Sequence, residues 1–405
     1  MFSYDLPNGG LNTKTFVTKE GQIKFDPALY EQRYTTTVRI IEDPRWRQSL
    51  KKIVDFGCSE MRLLPLLRRI PKVEHILAVD IDEKVLSVFQ QRAVPLVSDY
   101  LHKREEPLRI EVLKGSITDS VEQLRNVDVV IGLEIIEHLH ADVLEKVPEN
   151  IFGFVQPKLA IFSTPNSEFN VFFDSLLGNG FRHFDHKFEW SRAEFRAWTD
   201  NICHRYPNYS VAFLGLGNPP DEKRDVEDVG FATQMALFAR NDLIKKPLAT
   251  DLNGQSLPLS GVKYKEIYTV DFPYYKDERT QDEKIWCEVQ YFINRYRYAT
   301  IYFNVDRHIY QLPWLQLMDF ARKENVSQEE LLDILRNHNI QVEGNFIIMP
   351  EYDDDDDDDH GLCYELNDLN LELNNEYNNQ CGNGDAASTA FNIENAKDDS
   401  EECWD

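Results

Sequence analysis

The chain has 405 residues, is 42% hydrophobic and carries a formal charge of −26, enough apolar material for one large core or two smaller ones. It has no run of about 18 apolar residues and no basic, apolar-cored start at MFSYDLPNGGLNTKTF, which speaks against a membrane span and a signal peptide. Residues 350–405 hold 19 acids and one lysine, leaving 51 acids against 43 bases elsewhere, so a global basic field for nucleic acid is excluded and any RNA contact needs local patches.

Residues 1–25 are polar and Gly-containing, expected as a flexible lead-in, and a helical pattern covers 27–42. Strand and helix signals then alternate. KKIVDFG, HILAVDID, LRIEVLKGSI, VDVVIGL and KLAIFSTPN read as strands, and MRLLPLLRRI, EKVLSVFQQRAV and IIEHLHADVLEKVPENIFGFV as helices between them. SRAEFRAWTDNICHRY is an amphipathic helix with a serine cap, and NYSVAFLGLG and GFATQMALFAR close the pattern as strands. The alternation predicts an α/β domain over 26–240 with a mostly parallel, seven-stranded, Rossmann-like sheet. Residues 241–262 read as a linker and 263–349 as a small appended module of unknown role. That module is expected to hold two helices, PWLQLMDFARK and SQEELLDILRNHN, and a strand pair near IQVEGNFIIM. Residues 350–405, with aspartate at 353–359, read as a disordered acidic tail. Six scattered cysteines without a C-x-x-C pair suit reduced thiols in a cytosolic or nuclear protein.

Ligands of parallel sheets bind at the carboxyl ends of the strands, where Asp55, Asp80, Ser116, Glu134 and Thr164 fall. The turn DFGCSE holds Gly57, whose lack of a side chain lets a cofactor approach helix N-terminal amides. Asp80 is placed to accept from ribose hydroxyls, and Ser116 to reach an adenine edge. The full G-x-G-x-x-G is missing, which argues against a pyrophosphate cofactor and fits S-adenosylmethionine. An ordinary α/β turn is the competing reading of Gly57 taken singly.

After the apolar run Val127 to Leu133 come Glu134, Glu137 and His138. On a helix these offsets share one face, and carboxylates with an imidazole suit Mg²⁺, Mn²⁺ or Co²⁺. The plainer reading is a helix start rich in acids because its dipole favours them.

E-x-x-E-H, then FSTPNSEFN, then FDHKFEWSRAEFRAW, with IKFDPALYEQRY upstream, resembles the animal small-RNA 3′-terminal 2′-O-methyltransferases, which modify Piwi-interacting RNAs; the resemblance covers about 23–240. It implies a class I S-adenosylmethionine-dependent methyltransferase with a divalent ion on Glu134, Glu137, His138 and His186. It also implies cofactor contacts at Asp80 and Ser116, beside Asp55 and Gly57. Ser59 departs from the family's glycine. The implied reaction methylates the 2′-hydroxyl of the 3′-terminal ribose of small single-stranded RNA, with both terminal hydroxyls on the metal, protecting RNA ends in RNA-mediated silencing.

Within this reading His138 is the expected proton acceptor, and Asp185 the partner of a metal-ligating histidine. Asn166 and Phe169 are candidates for the terminal nucleotide, with core packing the rival role for Phe169. Arg33, Arg182, Lys187 and Arg192 are candidates for phosphates, and His140 and His183 are expected on the surface. A Piwi or Argonaute protein is the expected partner of a cytoplasmic monomer, with perinuclear RNA granules as the alternative location; the acidic tail either spaces, mimics a nucleic-acid backbone or docks a basic partner segment. Rival functions are a metallohydrolase, disfavoured by its incomplete histidine pair, a methyltransferase for another substrate, and an inactive RNA- or Argonaute-binding module.

Overall fold

The structure, a computed structural model, describes residues 1–351 apart from 8, 20, 174, 175, 177–179, 221–227, 250–257 and 324. The expected tail lies outside the described residues from 352 onward, as does part of the expected linker. The chain divides into two compact units, Met1–Lys276 and a second that begins at Asp277.

The first unit opens on a hairpin of β1 (Lys14–Val17) and β2 (Ile23–Asp26), followed by the helix Leu29–Ile41. The lead-in is therefore structured rather than flexible, because its apolar residues find cover. Tyr4 stacks on Trp46 at 5.6 Å and donates to Asp43 at 3.2 Å, and Ile23 is buried.

The main sheet is made of β3 (Lys52–Phe56), β4 (His75–Asp80), β5 (Arg109–Lys114), β6 (Val129–Leu133), β7 (Leu159–Pro165), β8 (Tyr209–Leu216), β9 (Thr233–Arg240) and β10 (Lys265–Asp271). Their spatial order is β10-β5-β4-β3-β6-β7-β9-β8. The pairs among β3 to β7 are parallel; β10 against β5, and β9 against β7 and β8, are antiparallel. Alternate residues serve opposite faces. Ile53, Ile76, Ile110, Ile131 and Ile161 enter one buried cluster, and Val54, Leu77, Val130 and Ala160 the other. A sheet buried on both faces needs such near-continuous apolar strands.

The expected Rossmann-like sheet is present with one strand more than the alternation indicated. That strand comes from residues assigned to the appended module, so the module's expected start at 263 is corrected: the first unit runs through Lys276. β10 satisfies backbone groups that β5 would otherwise present as an open edge, and Tyr264 and Phe272 at its ends are buried.

Two expected helices are shorter than their patterns. MRLLPLLRRI is helical over Leu64–Leu67, with Pro65 in the first turn where its missing N–H costs nothing. IIEHLHADVLEKVPENIFGFV breaks into a 3₁₀ turn at Ile136–His138, a helix at Ala141–Leu144 and a π-helical stretch at Glu149–Val155. His140 interrupts the run with an extended ψ of 152°.

The second unit has helices Gln281–Tyr296, Met318–Lys323 and Gln328–Asn337. Its sheet holds β11 (Phe303–Asn304), β12 (Ile309–Pro313), β13 (Val342–Glu343) and β14 (Phe346–Pro350), in the order β11-β12-β14-β13. Ile285, Val289, Leu312, Trp314, Leu331 and Ile347 form its own core. The two expected helices and strand pair are there; the long helix Gln281–Tyr296, with Thr280 and Glu283 as a capping box, was not anticipated.

Candidate active site

The strand order reverses between β3 and β6, the switch point at which open α/β sheets bind ligands. A cavity of about 670 Å³ opens there, with Gly57, Ser59, Asp80, Ser116, Glu134 and His138 on its wall. Three of the expected cofactor residues thus share one space with two of the expected metal residues, while Glu137 and His186 are not on its wall.

On the cofactor side, Gly57 has φ +71°, and a Cβ there would meet Ile135 Cδ1 at 2.8 Å. Ser59, the departure from the family glycine, also sits in the left-handed region at φ +43°, a conformation costing a non-glycine residue roughly 1–2 kcal/mol. Asp80 holds this turn: Oδ2 accepts the Ser59 N–H and Oδ1 the Asp82 N–H, both at 2.9 Å. Each carboxylate oxygen keeps a further lone pair for a ligand. The Ser116 hydroxyl lies 2.8 Å from that of Thr118. Behind it, Tyr264 donates to the Ser116 carbonyl at 2.5 Å and lies over Gly115, where a Cβ would come within 2.1 Å of the ring. Asp55 does not line the cavity. It is buried at the end of β3, and burial first, then the nearby Asp80, push its carboxyl up to about 7.

On the other side, Glu134 is not helical. It follows β6 at φ +49°, so the expected one-face helix spacing is absent: a left-handed residue leads into a tight 3₁₀ turn at Ile136–His138. The Ser163 hydroxyl donates to Glu134 Oε1 at 2.6 Å, and Arg33 lies 3.4 Å from Oε2. Glu137 is fully buried; Thr164 donates to its Oε2 at 3.0 Å, while Oε1 has no hydrogen-bond partner among the described residues. Burial, and then the Glu134 charge, raise the Glu137 carboxyl well above the usual range.

His138 Nδ1 stands 3.1 Å from Asp185 Oδ2, and His186 Nδ1 stands 2.6 Å from Glu189 Oε1. The two rings are 4.9 Å apart. In the neutral rings those Nδ1 atoms carry the protons, so each Nε2 offers a lone pair. A ring nitrogen of His183 also lies within 4.8 Å of theirs. Its Nδ1, however, accepts the Asp185 backbone N–H at 3.2 Å, which in the neutral ring places the proton on Nε2 and removes it as a ligand. Among the described residues the ligand atoms that lie within 4.8 Å of one another are those of His138, His183 and His186; the Glu134 and Glu137 carboxylates, the latter with a buried oxygen that lacks a proton donor, are the acidic donors nearby that could join imidazoles on a hard or borderline divalent ion.

Several candidates for RNA contact have internal work. The Arg182 side chain is buried and donates to the carbonyls of Asn166 and Ala232 at 2.5 and 2.9 Å; burial lowers its guanidinium to about 10. Arg33 is buried against Glu134. Lys187 pairs with Asp185 at 2.7 Å, and Arg192 with Glu168 and Asp228 at 2.7 and 3.2 Å. Asn166 donates to the carbonyls of Val229 and Phe231, and Phe169 is wholly buried beside Phe25 and Phe172. His140 is exposed, as expected of a surface histidine, and also lies on the cavity wall.

A small RNA 2′-O-methyltransferase of Drosophila melanogaster is 44% identical over 361 residues, 87% of this chain and 90% of that protein. The chain belongs to the small RNA 2′-O-methyltransferase family. The Gallus gallus member is 37% identical over 69% of this chain and 70% of its own length. The crystal structure of small RNA methyltransferase HEN1 is 31% identical with a TM-score of 0.47, covering 62% of this chain and 28% of that one. The family model described as the HEN1 methyltransferase C-terminal domain matches residues 282–351. Family likeness therefore extends into the second unit, beyond the 23–240 carried by the motifs. The sequence did not single out Ser163 or Glu189, and marked Thr164 only as a strand-end residue, although all three hold candidate ligands. For Glu189 a signal existed in its i+3 spacing from His186.

Proposed function

We propose that this protein transfers the methyl group of S-adenosylmethionine to the 2′-hydroxyl of the 3′-terminal ribose of small single-stranded RNA. The observation that carries the reading is the meeting of Glu134 and His138 with Gly57, Asp80 and Ser116 on one cavity wall. The ribose oxygen attacks the sulfonium methyl carbon, the C–S bond breaks, its electron pair stays on sulfur as S-adenosylhomocysteine forms, and the hydroxyl proton leaves to a base. Gly57 and the Asp80-held turn give the cofactor access to backbone, and Asp80 and Ser116 offer acceptors for its ribose and adenine.

Glu134, Glu137, His138 and His186 are the proposed ligands of a divalent ion, Mg²⁺ or alternatively Mn²⁺ or Co²⁺. When bound it supplies Lewis acidity to the vicinal terminal hydroxyls, which only an unblocked RNA end presents together. Asp185 and Glu189 orient the two imidazoles. His138 is also the proposed proton acceptor; Asp185 occupies its Nδ1, so both uses draw on the same Nε2 lone pair and exclude each other at any instant. In the cell the reading places the protein in the cytoplasm, as a monomer acting on Piwi-interacting or related small RNAs presented by a Piwi or Argonaute protein and protecting their ends in RNA silencing.

The test is methyl transfer from labelled S-adenosylmethionine to a short RNA with Mg²⁺. RNA ending in a 2′-O-methyl or 3′-phosphate should remain unlabelled. Equal labelling of blocked and free ends would remove the terminal-ribose reading.

A further inference from the structure

The loop that supplies Asp185 and His186 also presents an aromatic step to which the reaction above gives no task. The Phe184 ring packs on that of His183 with centroids 4.3 Å apart and planes inclined by 39°. His183 in turn lies 5.6 Å from His138 and 5.5 Å from His186, held at Nδ1 by the Asp185 N–H. Phe184 itself is 79% exposed. One exposed apolar residue is ordinary on a surface, but this one stands two ring contacts from His138.

We infer that Phe184 is the stacking surface for the base of the RNA's terminal nucleotide. The inference rests on the ribose-methylation reading above. The reacting oxygen sits on C2′, and the base is attached to the adjacent C1′. A ribose held at Glu134, Glu137, His138 and His186 must therefore deliver its base to the immediate rim of that cluster. Phe184 stands two ring contacts from His138 and is largely exposed beyond its contact with His183, whereas Phe169 is sealed in the core. Stacking accepts every base because each has a π-face, so this contact grips the last nucleotide without reading it. The side chains of Arg33 and Arg182, being buried, leave room for a grip of this uncharged kind.

The test crosses enzyme variants with substrate variants, using the full-length protein. Wild type, F184A and F184W are assayed on one RNA with a normal last nucleotide and on the same RNA whose last ribose lacks its base but keeps both hydroxyls. Wild type should lose about tenfold or more in kcat/KM when the base is removed. F184A should show a similar loss on the normal RNA, through KM, and no further loss on the abasic one; F184W should behave as wild type. Phe184 is exposed, so an unchanged melting temperature is expected for F184A. Equal KM values for F184A and wild type on normal RNA would overturn the inference, and so would an equal additional loss by F184A on abasic RNA. If wild type labels the normal RNA while F184A is unaffected, only the stacking role falls; if wild type labels neither RNA, the ribose-methylation reading falls with it.

Discussion

The Lys187 backbone N–H donates to the Glu137 carbonyl at 2.7 Å. This bond ties DHKFEW to the turn after β6, and the residue before Lys187 and the residue after Glu137 are candidate ligands, His186 and His138. Their rings meet at 4.9 Å as a result. A backbone bond can do this whatever the side chain of residue 187, so the joint survives while Lys187 pairs with Asp185.

Glu137→Gln tests the proposed metal directly. The substitution keeps shape but removes the ionisable carboxyl. Saturable Mn²⁺ binding should disappear, and kcat/KM should fall by about 100-fold or more, ~2.7 kcal/mol of transition-state stabilisation. Full Mn²⁺ binding by E137Q, followed by paramagnetic resonance, would refute the assignment.

Glu189→Gln removes the charge that accepts from His186 Nδ1 at 2.6 Å. Loss of such a supporting acceptor lowers metal affinity about 10- to 100-fold. Mn²⁺ titration should show this shift, with a smaller one for Asp185→Asn, whose carboxylate is more exposed. Unchanged affinity in both variants would mean that the imidazoles need no orienting partner.

The cofactor turn makes a paired prediction. Ser59→Gly relieves the left-handed backbone and should leave stability unchanged or raise it by up to about 1 kcal/mol. Gly57→Ala meets Ile135 at 2.8 Å and keeps φ +71°, so it should destabilise by about 1–3 kcal/mol and weaken S-adenosylmethionine binding. Denaturant titration and calorimetry check both; a stabilising G57A would show the turn to be free to relax.

Asp55 gives a pH dependence. Its folded carboxyl is raised to about 7 against 3.8 in the unfolded chain. A raised value means the folded state holds the proton more tightly. Its contribution is complete below the unfolded value and is lost as pH rises through about 7, a span of about 4 kcal/mol by linkage. Asp55→Asn cannot ionise, so its stability relative to wild type should climb between pH 4 and 8. A difference that stays flat over that window would be incompatible with a buried, ionising Asp55.

Tyr264 links the late strand to the cofactor wall. Tyr264→Phe loses one hydrogen bond to the Ser116 carbonyl, worth about 1 kcal/mol. Tyr264→Ala also opens a hole over Gly115 and should cost about 3–5 kcal/mol. The second change should raise the Kd for S-adenosylmethionine more than the first, measured calorimetrically.

The order of strands and helices, the strand-end placement of Asp80, Ser116 and Glu134, and the grouping of Glu134, Glu137 and His138 were legible in the chain itself. Apolar periodicity and turn residues are local properties, and the motif neighbours are close in sequence. The C-terminal module showed two of its helices, Met318–Lys323 and Gln328–Asn337, for the same reason. What locality could not convey was partnership. Arg182 and Phe169 have the composition of RNA contacts, yet carbonyls and rings from distant segments claim them. Tyr264 and β10 belong to the first unit because β5 needs an edge partner, a demand invisible in KEIYTVD. The left-handed turn at Glu134, rather than helical spacing, aims its carboxylate, and it is held by Ser163 and Arg33 from other elements. His138 and His183 are equally imidazoles in the sequence; only the acceptor facing one Nδ1 and the donor facing the other decide which keeps an Nε2 lone pair for a cation.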